Sequence, residues 1–196
     1  MQCIGIMRER NIPLPGNIVA LSSHTKIIAV NQAGQIEASA TTISGQFYEA
    51  ILHSTNIGKS ITPTEGETPG GYSDSELIDI AMDCVAHAGL GRTMLPMPRF
   101  LQVLMTTNSY ERNTFLDAAI AADDIHAFQE MRSHGYDSNY YLLYGHESRC
   151  RLYTEILHKV FGDKITVESI YRQEELDWLT VSGSIAVALE RIKHDA

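Results

Sequence analysis

Cysteine is scarce, with three in 196 residues. Cys3, Cys84 and Cys150 are an odd number, widely spaced and without a CxxC pair, so neither a disulfide framework nor a thiolate zinc site is expected. Basic residues are also few: 15 Lys and Arg against 24 Asp and Glu, a formal net charge of −9. This balance argues against nucleic acid or an anionic membrane as the main partner, since both select for clustered positive charge. An anionic ligand would have to be held locally. No uncharged apolar run approaches the length of a membrane span. The opening MQCIGIM has no basic region before it and runs at once into Arg8-Glu9-Arg10, which is not the pattern of a secretory leader. With the unpaired thiols, this points to the cytoplasm. The histidines show no HExxH or paired ligand spacing, so they are expected on the surface or in hydrogen bonds, and no metal site is expected.

What is present is an ordinary globular composition, 44% hydrophobic and 20% charged in a chain long enough for one well-buried domain. After a lead-in over residues 1–17, closed by Pro13, Pro15 and Gly16, comes the stretch that organises the rest, residues 18–53. Ile18 to Leu21, Lys26 to Val30 and Gln35 to Ile43 read as three strands, and a helix follows from about Gln46 to His53. Asn31-Gln32-Ala33-Gly34 is a hairpin signal, because Gly34 can take positive φ. Ser22-Ser23-His24-Thr25 joins the first two strands, with Lys26 at its edge. Its hydroxyls, ring nitrogens and amides suit an anion. A second polar corner, Ser44-Gly45-Gln46, opens the helix; Ser44 can cap it, and Gly45 leaves room near its positive end. The two corners would converge at one end of a sheet. The alternative is a polar hairpin loop and an ordinary capped helix.

Residues 54–73 are loop-like, rich in glycine and containing Pro63 and Pro69, and are expected to be mobile or to close over a site. Gly58-Lys59-Ser60 within them is not a P-loop, because the first glycine of that motif would fall at His53 after a helix rather than a strand. Residues 74–135 carry a helical period: a helix capped at Ser73 or Asp74 with Leu77, Ile80, Ala81, Cys84 and Val85 inward, a second introduced by Pro96 and Pro98, and a third from about Tyr110 to Arg132. Asp123-Asp124 reads as a solvated helix face rather than a metal site. Residues 140–193 alternate strand (Tyr140 to Tyr144), helix (Glu147 to Phe161), strand (Ile165 to Ser169) and helix (Glu174 to Ile192), which implies a parallel pair with a right-handed crossover. Gly145-His146-Glu147-Ser148 falls at the carboxyl end of a strand, where open α/β sheets bind ligands. The alternative there is a plain tight turn.

Taken in order, these segments resemble the 2-dehydro-3-deoxygalactonokinases of the actin-like sugar-kinase superfamily. That family carries L-P-G-T-H-[SC]-K before an apolar strand and T-G-E-L at the opening of a helix; here the two read ALSSHTKIIAV and ISGQFYEAIL. His24, Lys26 and Gly45 match. Ser23, Thr25 and Ser44 are conservative replacements, while Leu21, Ser22 and Gln46 depart from the family's Pro, Gly and Glu. The helical block follows the family's order without its glycines, and SRCRLYTEIL keeps the Ser148 and Tyr153 of its S-L-x-x-R-Y pattern. The D-[WF]-G-[TS]-[ST] strand of the family's first lobe, which grips nucleotide phosphates and magnesium, does not occur in this sequence.

The resemblance implies one ribonuclease-H-like, actin-like ATPase lobe: an α/β fold with three antiparallel and two parallel strands in one mixed sheet, plus a helical insertion. It implies phosphate or substrate binding at Ser23, His24, Thr25, Lys26, Ser44, Gly45 and Gln46, and nucleotide binding at Gly145, His146 and Ser148. ATP and Mg²⁺ are its implied cofactors, with a 2-keto-3-deoxy sugar acid as phosphoryl acceptor. Transfer would then need a partner chain carrying the first lobe. A homo-oligomer is a further possibility for assembly. The competing reading is a non-catalytic sugar-acid or nucleotide binder or a truncated kinase remnant, with a one-lobe hydrolase as a third.

Overall fold

A computed structural model describes residues 1–67, 70–94 and 97–194. Five strands form one sheet in the order β3-β2-β1-β4-β5: β1 Gly16–Leu21, β2 Thr25–Val30, β3 Ile36–Thr42, β4 Tyr140–Gly145 and β5 Thr166–Ile170. The first three are antiparallel neighbours. β4 runs parallel to β1, and β5 to β4. The expected mixed sheet is therefore present, with β1 at its centre and all six of its residues buried, as a strand covered on both faces should be.

One face carries Val19, Leu21, Ile27, Ala29, Tyr141 and Leu143. They pack on the helical block and on α8 (Glu147–Phe161) through residues such as Phe115, Phe128, Tyr153 and Ile156. In that block α4 (Asp74–Ala88) and α7 (Ser109–Ser133) each begin with a capping box, Ser73 with Glu76 and Asn108 with Glu111. Two short helices, α5 (Leu90–Met94) and α6 (Met97–Leu104), lie between. On α4 it is Ile78 that is buried, whereas Ile80, expected inward, is exposed.

The opposite face carries Ile18, Ala20, Val30, Leu142 and Tyr144. It is covered by α9 (Gln173–His194) and by a helix that the sequence reading did not place, α1 (Gln2–Glu9). Those two cross closely. A Cβ on Gly5 would overlap the Leu179 carbonyl, and one on Gly183 would overlap the Met1 carbonyl. Outside the sheet, α2 (Ser44–Ser54) and α3 (Gly58–Ile61) close a small cluster with Ile51, Ile61 and Leu116.

Residues 54–73 therefore include α3. Beyond it, Glu67 accepts hydrogen bonds from the Ser109 amide (2.5 Å), the Ser109 hydroxyl (2.6 Å) and Arg112 (2.9 Å). Pro69 and Pro96, which the sequence reading used for a loop and a helix start, lie outside the described residues. No helix among the described residues is long and apolar enough to cross a membrane.

Candidate functional site

A cavity of about 700 Å³ opens beyond the carboxyl ends of β1 and β4. Two close backbone approaches shape it. Gly145 ends β4 at φ +142°, and a Cβ there would overlap the Leu21 carbonyl of β1. Glycine thus lets β4 turn into α8 while it stays paired with β1. Gly45, in the first turn of α2, lies against the loop after β1; its Cβ direction is filled by the Ser22 carbonyl, and Gln46 donates its amide to Ser23 O at 2.8 Å. The first turns of α2 and α8 and the loop Ser22-Ser23 therefore share one wall. The helical block supplies the wall opposite, through Asp74 on α4 and Tyr110, Asn113, Thr114 and Asp117 on α7.

Below lies a buried polar network centred on Arg149. Its guanidinium donates to Ser22 O (3.2 Å), Tyr153 Oη (3.1 Å) and Ser44 Oγ (3.4 Å). Tyr153 donates to Asp124 Oδ2 at 2.5 Å, and the Thr25 hydroxyl bonds both Ser44 (2.7 Å) and Tyr153 (3.3 Å). Arg149 Nε is 3.9 Å from Asp117 Oδ1, and neither atom has a hydrogen-bond partner among the described residues. Burial holds the Asp117 carboxyl above the usual carboxylate range; Arg149 opposes the shift and Asp124 adds to it. Burial, reinforced by the Asp124 carboxylate, likewise pushes the Tyr153 phenol far up, so Tyr153 acts as a hydrogen-bond donor.

Of the residues singled out from the sequence, Ser23, Gly45, His146 and Ser148 come together on the cavity. The hairpin loop and the strand-to-helix turn, read separately in the sequence, are thus one site. Thr25 and Ser44 lie beneath it, fully engaged in the buried network. Ser44 does not cap α2: the N-cap is Ile43, and no side-chain cap bond forms. The Gln46 side chain is exposed and does not line the cavity, while His24 is half-buried with Nδ1 3.0 Å from Ser23 Oγ.

Lys26 is placed otherwise than expected. It pairs in register with Ala20 and alternates with Thr25 and Ile27, so it belongs to the face covered by α1 and α9, the far side from the cavity. Gly145 contributes its backbone turn. Asp124 is buried rather than on a solvated face.

The residues the sequence reading missed are Arg149, Arg151, Asp117 and Asn113, each an unremarkable polar position in a helix. Of the floor residues, the sequence reading singles out Thr25, Ser44 and Tyr153. The cavity is bipolar. Arg149, the α8 N-terminus, whose N-cap His146 makes no side-chain cap bond, and Arg151, which bonds Glu147 of that first turn at 2.5 Å, give a positive end. Glu49, Asp74, Asp117 and Glu155 give an acidic side. Among the described residues no three His, Cys, Asp or Glu side chains are grouped to hold a metal ion.

No family model matches the chain, and no curated protein does. Solved structures do. A Sinorhizobium meliloti protein provisionally assigned as a 2-dehydro-3-deoxygalactonokinase superposes with a TM-score of 0.63 over 95% of this chain, at 14% identity. The fold is actin-like. This chain spans only 58% of that protein's length. The activator of 2-hydroxyisocaproyl-CoA dehydratase from Clostridium difficile, with bound ADPNP, superposes at a TM-score of 0.48 and 13% identity, over 98% of this chain and 67% of that one.

Proposed function

We propose that the cavity binds a sugar acid, and that the chain is the substrate-holding lobe of an actin-like sugar-acid kinase. The observation that carries this reading is the bipolar lining. A carboxylate is accommodated where Arg149, Arg151 and the first amides of α8 converge, and hydroxyl groups find donors and acceptors in Asn113, Thr114, Asp74 and Asp117. Arg149 is already aimed by three hydrogen bonds and needs no rearrangement to meet an anion.

The implied cofactors fit unequally. The phosphates of ATP suit the outer wall, where Ser23, His146 and Ser148 face the opening, but a triphosphate inside would face Glu49, Asp74, Asp117 and Glu155. Magnesium has no ligand set among the described residues, and no step is assigned to it. When bound, the nucleotide supplies the phosphoryl group. This chain's part is to bind and orient the acceptor and to hold its hydroxyl near Asp117, whose raised carboxyl is suited to take up the proton. Phosphoryl transfer rests on charge neutralisation from both sides of the transferred group, so this lobe alone is expected to be inactive.

The test is calorimetric titration with a 2-keto-3-deoxy sugar acid and, separately, with an ATP analogue. A coupled phosphorylation assay, with and without a chain carrying the D-[WF]-G-[TS]-[ST] lobe, completes it. Sugar-acid binding alone and turnover only in the mixture are expected. Failure to bind any sugar acid overturns the reading, and turnover by this chain alone overturns the requirement for a partner. A second reading, a non-catalytic sugar-acid binder, predicts binding without turnover even in the mixture.

A further inference from the structure

On the side of the sheet away from the cavity, α9 outruns what covers it. Its inner residues Leu176, Leu179, Ser182 and Gly183 are buried, but from residue 184 to residue 193 none is. Along its outer side stand Trp178, Val181, Ile185, Leu189 and Ile192, between 44% and 65% exposed. Their spacing is three, four, four, three. At roughly 100° per residue they fall within an arc of about 80°, and the buried residues lie on a different side of the helix. A narrow apolar row at three-and-four spacing over four turns has the pattern of a helix-pairing seam rather than of a solvated face.

We propose that this seam pairs with the same seam of a second copy of the chain, antiparallel, about a two-fold axis at Ile185. The spacing reads the same from either end. In the antiparallel pair Trp178 faces Ile192 of the second copy, Val181 faces Leu189, and Ile185 meets itself, so each apolar residue finds an apolar partner. Charge selects this direction. The amino-terminal end of α9 carries Glu174, Glu175 and Asp177, and the other end carries Arg191 and Lys193 beside Glu190, which Lys193 bonds at 3.2 Å. A parallel pair would set like charges side by side. The antiparallel pair brings Glu175 toward Lys193 of the second copy on one flank, and Asp177 toward Arg191 on the other. Arg10 already bonds Glu175 and Gln173 already donates to Asp177, so the incoming cations join formed pairs. An interface complementary to itself in both apolar spacing and charge fits a second copy of this chain.

Sedimentation equilibrium of the full chain tests this, together with the variants Ile185→Glu and Val187→Glu. Val187 is also exposed, but on the opposite side of α9 from Trp178, and it serves as the control. A dimer is expected. Ile185→Glu should raise its dissociation constant about 100-fold with an unchanged helical circular-dichroism spectrum, while Val187→Glu should leave it within about threefold. For direction, chains carrying Val181→Cys and Leu189→Cys, each in a Cys84→Ser background, are mixed and oxidised. Disulfides between the two kinds of chain should predominate. A monomer at all concentrations, or equal effects of the two glutamates, overturns the interface. A predominance of disulfides between like chains overturns the antiparallel arrangement.

Discussion

Tyr153 Oη on α8 donates a 2.5 Å hydrogen bond to the buried Asp124 carboxylate on α7, which ties the floor of the cavity across two helices. Removing the phenol hydroxyl leaves a carboxylate buried without that donor and frees one contact of Arg149. Tyr153→Phe is therefore expected to lower stability by about 1–3 kcal/mol. Denaturant unfolding with an unchanged slope measures it. A loss near zero would show that Asp124 finds another partner.

Lys26 and Arg151 together test which side of the sheet carries the ligand. Both are exposed, so either alanine variant should change stability by less than about 0.5 kcal/mol. Only Arg151 lines the cavity. Arg151→Ala should weaken sugar-acid binding about threefold to tenfold, the loss of one charge-assisted contact at an open site, and Lys26→Ala should leave it unchanged. The reverse ranking in a calorimetric titration would place the ligand on the other face.

Gly45 has no room for a methyl group against the Ser22 carbonyl and the Ser23 backbone. Gly45→Ala should cost about 1–3 kcal/mol or more by forcing α2 off the loop, and should weaken binding as well, because the same displacement moves Ser23. Gly71→Ala, with nothing near its Cβ position, is the comparison. Equal unfolding midpoints for the two would show that α2 slides without penalty.

Asp117 imposes a pH dependence whose sign follows from its position. Burial raises its carboxyl above the ordinary range, so just above that range the folded state holds a proton that the unfolded chain has released. Stability should then fall as pH rises from the usual carboxylate value toward the raised folded one. Asp117→Asn should remove that slope. Parallel stability profiles for the two proteins across mildly acidic pH would show that Arg149 cancels the burial.

The thiols should rank by burial. Cys3 and Cys150 are buried, and burial pushes each up to about 11; Cys84 is half-buried and raised less. At pH 8 a thiol reagent should label Cys84 first and the other two only on unfolding. Mass spectrometry of the labelled chain identifies the order, and early labelling of Cys150 would mean that α8 opens locally.

The five strands, the longer helices and their order are legible in the sequence, because those are local properties. Apolar runs, the hairpin at Gly34, the capping residues Ser73 and Glu76 and the strand–helix alternation after Tyr140 each act over a few residues. The resemblance to sugar kinases extended that order to the sheet topology that the structure displays. Which side each residue faces was not local. Strand alternation sets Lys26 opposite Thr25, but β2 is apolar on both faces because helices cover both, so KIIAV has no polar face to show which of the two sides meets the cavity. Helix α1 is eight residues long, too short to declare itself, and it is held by its fit against α9. Asp117 and Arg149 look like ordinary helix polar residues. They are 3.9 Å apart only because α7 and α8 pack on the same face of the sheet. The site is made by that packing, which brings together side chains far apart in the sequence, and no local pattern encodes it.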